Sequence, residues 1–240
     1  PSSISRNKES MPLKVNIGCA TCIFAGWVNI DHVDMASYVQ FLRTTGLEGL
    51  PKDQADLARR VQAAEAAGDK TDFRVHDLRK GLPFADNSVD FIYFGQAIEH
   101  LNPLYEVPQF VAECRRVLRP GGIVRISTPD LDVLLASYLN GDMLEFAVEQ
   151  PQPYRDAKSK ALRLTYLMFG SLGPASTNEH YEGHHLTYNK DSMREILEAA
   201  GFTDILFFEP GESQSPVFSE ECLDTGTTHS LYAEATKGAS

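Results

Sequence analysis

Two stretches of this 240-residue chain crowd reactive side chains together. Cys19 and Cys22 form a C-x-x-C pair inside residues 16–31, NIGCATCIFAGWVNID. That spacing suits a dithiol redox site or half of a zinc site. Zinc needs two further ligands, however. Cys114 falls in a helical pattern and Cys222 in a remote polar stretch. Cys19 also follows Gly18, so small residues filling a tight loop are the stronger reading. The second stretch is residues 179–185, EHYEGHH. Histidine is suited to proton transfer near neutral pH, and imidazole with carboxylate can hold a divalent cation. His180 and His184 stand four apart, but Gly183 argues against a helix, and no H-E-x-x-H run occurs. His100, after Glu99, is a further isolated imidazole; the two read as beginning a helix, with a solvated cap as the bland alternative.

These side chains need elements to position them. LKVNIG, residues 13–18, alternates and breaks at glycine, as a strand ending in a turn does. WVNI, residues 27–30, is a second strand ending at Asp31. The link between them is too short for an ordinary crossover helix. Residues 34–68 read as a helical insert, with Pro51 near the start of its main helix and Gly68 as its stop. Strands follow at 73–76 and 89–95. A helix has Leu104, Val107, Val111, Cys114 and Leu118 on one face. Another strand covers 123–128, and two or three helices cover 130–169. A helix at 189–200 and strands at 203–209 and 231–237 complete the chain, the last after a long polar loop.

Strands alternating with helices predict an α/β fold with a largely parallel sheet. Ligands in such sheets bind beyond the carboxyl ends of the strands. The positions to inspect are therefore residues 18–26, Asp31, Asp77, and residues 96–100 and 127–130.

Composition narrows the function. A net charge of −11, with Lys and Arg scattered, makes nucleic acid a poor substrate. No apolar run approaches a membrane span. The polar opening PSSISRNKES lacks a hydrophobic signal region, so a cytoplasmic protein is expected. Four cysteines in a chain of this length do not make a disulfide scaffold. A hydrophobic content of 42% supports one sizeable core, so residues 1–240 read as a single domain with inserts at 34–68 and 131–184.

The ordered motifs VNIGCATCIFAGWVNID, HDLRKGLPFADNSVDFIYFGQAIEHL, ECRRVLRPGGIVRISTPD and LTYNKDSMREILEAAGF carry a resemblance. The chain resembles the class I S-adenosylmethionine-dependent methyltransferases, in particular a small bacterial group with a GCG…GWINVD-type first motif. The likeness covers residues 13–130 and 185–237. Ala20 stands where that family usually has glycine, and Asn16 where many of its members carry an acid. The resemblance implies a Rossmann-like sheet of seven strands, the last antiparallel, with helical insertions. It also implies S-adenosylmethionine as cofactor and S-adenosylhomocysteine as product. The cofactor contacts it implies are Asn16, Gly18, Cys19, Ala20, Asp31, His76, Asp77, Leu78, Gly95, Gln96 and Ala97. Asp31 would accept the ribose hydroxyls, and Asp77 with Leu78 would meet adenine.

Methyl transfer chiefly requires alignment of the nucleophile, and a hydroxyl acceptor gains from a general base. His185, His184 and His100 are the candidates. His185 lies nearest the position where the family often carries a histidine. Alternatively, all three are surface or structural histidines. The expected reaction is O-methylation of a small-molecule or glycan acceptor, as in small-molecule biosynthesis. N-methylation of an amine and a non-catalytic binding role are the alternatives. No metal ligand is assigned, and a divalent ion is the minor reading. A nicotinamide dehydrogenase is disfavoured because the G-x-G-x-x-G pattern is missing.

Overall fold

The computed structural model describes residues 11–19, 22–141, 143–146, 152–169, 183–220 and 229–239. Its strands are β1 (Lys14–Ile17), β2 (Val28–Asp31), β3 (Asp72–Val75), β4 (Val89–Gly95), β5 (Leu118–Pro129), β6 (Phe202–Phe208) and β7 (Ser230–Lys237). They form one sheet in the order β3-β2-β1-β4-β5-β7-β6. β7 runs antiparallel to β5 and β6, and the pairs from β3 through β5 are parallel. The chain moves from β1 outward to β3, then returns to β4 on the other side of β1. That reversal opens a crevice at the carboxyl ends of β1 and β4.

The helices are α1 (Ala36–Thr44), α2 (Lys52–Ala66), α3 (Glu106–Val117), α4 (Leu131–Asn140), α5 (Gln152–Asp156), α6 (Lys160–Phe169), α7 (Lys190–Ala199) and α8 (Pro216–Glu220). β4 explains how the two faces are filled, because successive side chains of a strand point to opposite faces. Ile92 and Phe94 join the core under α3 and α7, with Val107, Phe110, Val111, Met193 and Leu197. Phe91 and Tyr93 turn to the other face and meet Phe24, Trp27 and Phe218. No crossover helix joins β1 to β2 among the described residues, so these aromatics cover that face instead. Phe24 lies 5.0 Å from Tyr93 and 5.5 Å from Trp27, and Phe91 lies 5.8 Å from Phe218, between ring centroids. Such contacts add to the area they bury.

Several expectations change in detail. The insert at 34–68 is two helices separated by residues 45–51. Its Val39, Leu42, Ala58 and Val61 pack with Cys19 and Ile23, and Phe73 of β3 lies against them. It therefore walls the β1–β2 loop. The polar loop after β6 contains α8, whose Phe218 is buried. Glu99 and His100 do not begin a long helix: a 3-10 turn spans Ile98–His100, and α3 starts only at Glu106. Among the described residues no helix is long and apolar enough to cross a membrane.

The sheet also buries an ion pair. Arg125 and Glu234 face each other across β5 and β7, 2.5 Å apart and both fully buried. Ser213 Oγ and the Gln214 N–H also donate to Glu234. The guanidinium lies over the rings of Phe208 and Tyr232. Removing one partner leaves an uncompensated charge in the core, whereas replacing both need not. Glu234→Ala should therefore cost about 3–5 kcal/mol in urea unfolding. The double change Arg125→Met with Glu234→Leu should recover most of it. A single variant within about 1 kcal/mol of the parent would contradict this role.

Candidate functional site

Strand register lines up the candidate residues. Ile17 pairs with Ile30 on one side and Phe94 on the other. Gly18, Asp31 and Gly95 are therefore neighbours at the carboxyl edge. Asp31 pairs with Val75, which brings His76 and Asp77 just beyond. Gly95 pairs with Ser127, which brings Gln96 and Thr128 to the same edge.

Gly18 has φ +66°. A Cβ there would sit 2.9 Å from the Ala97 Cβ and 3.5 Å from the Phe94 ring. Both backbone conformation and space thus call for glycine. Gln96, the first residue after β4, also has a positive φ, 51°. That conformation is uncommon for a residue with a side chain and clusters at ligand sites. It is held by a bond from Gln96 N–H to the Ser127 carbonyl, 2.8 Å, and one from Nε2 to Ser230 Oγ, 3.1 Å. A Cβ on Gly95 would strike the Tyr93 ring.

The β1–β2 loop is held from inside by two buried amides. Asn29 Oδ1 accepts from Asn16 Nδ2 at 2.9 Å and from Phe24 N–H at 2.8 Å. Asn29 Nδ2 donates to the carbonyls of Phe24, Trp27 and Asp72. Asn16 Nδ2 also donates to the Cys22 carbonyl at 2.8 Å. Asn16 thus shapes the loop from beneath. Cys19, Cys22 and Cys114 are thiols. Burial, then the charge of Asp31, pushes the Cys19 thiol up. A thiol held protonated is a poor nucleophile or metal ligand, as the filler reading expects. Ala20 lies outside the described residues, as do Glu179, His180 and Cys222.

Asp31 is 6% exposed. Its Oδ1 accepts from Val33 N–H and lies beside His32 Nδ1, each at 3.0 Å. Asp77 caps the 3-10 turn Leu78–Lys80. Arg79 grips both its oxygens, through Nε at 2.9 Å and Nη2 at 3.2 Å. That hydrogen-bonded guanidinium holds the carboxyl below its usual range. An adenine amino group would have to share this carboxylate with Arg79. The His76 ring is engaged by the Gly81 carbonyl at 2.6 Å. A cavity of about 340 Å³ opens beside this corner, lined by Leu78, Leu101, Glu106, Phe110 and Glu113 among others.

Beyond β4 the structure assembles a different chemistry. Ligand atoms of Glu99, His100 and His184 all lie within 4.8 Å of one another. The rings of His100 and His184 meet edge to face, 4.8 Å between centroids. Glu99 is 1% exposed, so it is no solvated cap. Its Oε2 accepts from Thr128 Oγ1 at 3.1 Å. Burial pushes its carboxyl up from 4.5 to about 7. Burial, then the neighbouring His100, pushes His184 down to about 4, so that imidazole is neutral at pH 7. His185, the imidazole the resemblance favours, is exposed and outside this cluster. Its backbone N–H bonds the Glu99 carbonyl at 2.7 Å, which seats His184 beside His100. Glu99 and Thr128 fall in segments the sequence marks for inspection but receive no role there. An acid in a β4-end segment opposite a threonine at the β5 end is the signal that was present.

Residues 15–126 match the family model for the methyltransferase domain. The chain is 44% identical over 85 residues to a probable S-adenosylmethionine-dependent methyltransferase of Mycolicibacterium smegmatis, covering 32% of each. It is 37% identical over 91 residues to malonyl-[acyl-carrier protein] O-methyltransferase 1 of Coxiella burnetii, covering 37% of this chain and 29% of that protein. It spans about a third of the length of these curated relatives. A possible exported protein from Bordetella parapertussis has a similar fold, with TM-score 0.50, 15% identity, and coverage of 95% of this chain and 63% of that one.

Glu99 gives the site a measurable signature. The folded chain keeps its proton up to about pH 7, while the unfolded chain releases it near 4.5. Glu99 therefore holds its proton more tightly in the folded chain across that window, and its own contribution to stability falls as pH rises through it. The drop is on the order of 3 kcal/mol and levels off above about pH 7. His184, pushed down to about 4, contributes the opposite slope over much of this range, so the readout is the difference: the stability of the parent minus that of Glu99→Gln in urea unfolding should fall by this amount as pH rises. A shared pH dependence would count against a buried, protonated Glu99.

Proposed function

From the premise that the chain carries a methyltransferase domain on the class I S-adenosylmethionine-dependent fold, we propose that it methylates a hydroxyl of a small-molecule or glycan acceptor. One observation carries the reading. Gly18 and Gln96, both at positive φ, converge at the strand reversal and meet through Ala97. The cradle that a Cβ on Gly18 would fill fits the close backbone approach the cofactor's amino-acid end requires. S-adenosylmethionine supplies the methyl group on an electrophilic sulfonium.

In this reading the backbone of Gly18, Cys19, Ala20, Gly95, Gln96 and Ala97 lines the methionine end, and Asn16 holds that loop in shape. Asp31 accepts the ribose hydroxyls. Asp77, shared with Arg79, and Leu78 meet adenine, with His76 fixing their turn. His184, neutral and weakly basic, orients the acceptor, and half-buried His100 beside it takes the hydroxyl proton. An oxygen acceptor is in keeping with an O-methyltransferase among the relatives. A reducing, cytoplasmic setting fits the described thiols.

Two measurements test this. Calorimetry should detect S-adenosylmethionine binding, weakened roughly 10- to 100-fold by Asp31→Ala through lost charge-assisted hydrogen bonds. Absence of heat at millimolar ligand would sink the reading. His100→Ala should bind cofactor normally but turn over about a hundredfold slower or worse. Unchanged turnover would remove the base role.

A further inference from the structure

The residues beyond β4 include two imidazoles and one carboxylate on a shared centre. We infer that Glu99, His100 and His184 form a binding site for a divalent transition-metal ion that presents the acceptor oxygen to the methyl group. The inference rests on the proposed methyl transfer and keeps its cofactor and acceptor, but replaces the direct base role of His100. On this reading the two imidazoles act through the cation instead of on the proton directly.

The geometry supports a cation in three ways. First, metal–nitrogen and metal–oxygen bonds of about 2.1 Å put neighbouring ligand atoms roughly 3 Å apart and opposite ones roughly 4.2 Å apart. Ligand atoms already within 4.8 Å reach that spacing by small side-chain rotations. Second, the surroundings match how metal ligands are oriented from behind. Thr128 Oγ1 donates to one Glu99 oxygen. The backbone of Leu167 and Met168 hydrogen-bonds the His184 ring, while His184 Nδ1 is buried with no partner among the described residues. Third, the Tyr188 hydroxyl is fully buried, close enough to Glu99 to feel its charge, and likewise without a partner. An oxygen carried by a bound cation would give it one.

The ligand set selects the ion class. Two imidazoles disfavour Mg²⁺ and Ca²⁺, which prefer oxygen. Two nitrogens and one carboxylate suit Mn²⁺, Fe²⁺, Co²⁺ or Zn²⁺ with positions left open. An acceptor hydroxyl bound at an open position has its pKa lowered by the cation. Its proton passes to water, its oxygen forms the O–CH3 bond, and the C–S bond breaks to release neutral S-adenosylhomocysteine.

The test titrates chelator-stripped full-length chain with Zn²⁺ alone and with Co²⁺ alone, by calorimetry and by the visible spectrum of Co²⁺. One ion per chain is expected, with affinity falling at least tenfold in His100→Ala and again in Glu99→Gln. His100 is half-buried, so its variant keeps the fold, which far-ultraviolet circular dichroism verifies. Binding lost in Cys22→Ser but kept in His100→Ala would assign the ion to the cysteine pair and overturn the inference. Absence of stoichiometric binding would do the same. Turnover insensitive to EDTA, with cofactor binding intact, would overturn the cation and leave the histidine base standing. Metal binding without any S-adenosylmethionine binding would instead overturn the methyl-transfer reading beneath it.

Discussion

The buried amide of Asn29 is the constraint on which the β1–β2 edge of this molecule depends. β1 and β2 are parallel neighbours joined by a link without a crossover helix. Such a link leaves backbone polar groups buried with nothing regular to pair them. Asn29 supplies the missing partners: its oxygen takes two donors and its nitrogen serves three carbonyls. Asn16 extends the set to the Cys22 carbonyl. A fully satisfied buried network of this kind fixes one conformation, because any alternative strands a polar group. The turn at Gly18, the burial of Cys19 and the aromatic floor of Phe24 and Trp27 all follow from that fixed path.

The second half of the site rests on different physics. Glu99 is desolvated, and the Thr128 hydroxyl donates to its side chain. The two histidines lie against each other at its edge. Desolvation favours the neutral forms here, so an acid and an imidazole share one pocket without the ionisation each would have in water. Groups with displaced pKa values gathered near a cleft are the usual mark of chemistry. The cofactor edge, by contrast, works through backbone shape and hydrogen-bonding geometry.

Much of this was legible in the sequence because it is local. Alternation in LKVNIG and the glycine that ends it gave β1 and its turn. Hydrophobic spacing gave α3, and Asn189 with Ser192 begins α7 in a capping box one residue inside the expected start. The ordered motifs implied seven strands with the last antiparallel, as the sheet has them. What escaped was non-local. Glu99 looks like a helix-capping acid until Thr128 is seen facing it from another strand. Phe218 looks like part of a polar loop until Trp27 and Phe91 are found against it. The placing of the imidazoles turns on a main-chain bond: His185 N–H bonds the Glu99 carbonyl, with the His184 ring against His100 and His185 exposed.

That main-chain bond belongs to a longer seam. Leu131 N–H bonds the Tyr188 carbonyl at 2.7 Å, and Asp130 and Tyr188 form a parallel bridge. Residues 185–188 are thus stitched across the strand ends by peptide groups. Peptide groups are common to every residue type, so the stitching is indifferent to which side chains the segment carries. The backbone path through the exposed positions His185 and Leu186 is therefore set by peptide groups, and the imidazole at 184 keeps its address. Side chains along this segment can change without unpicking the seam that holds its backbone.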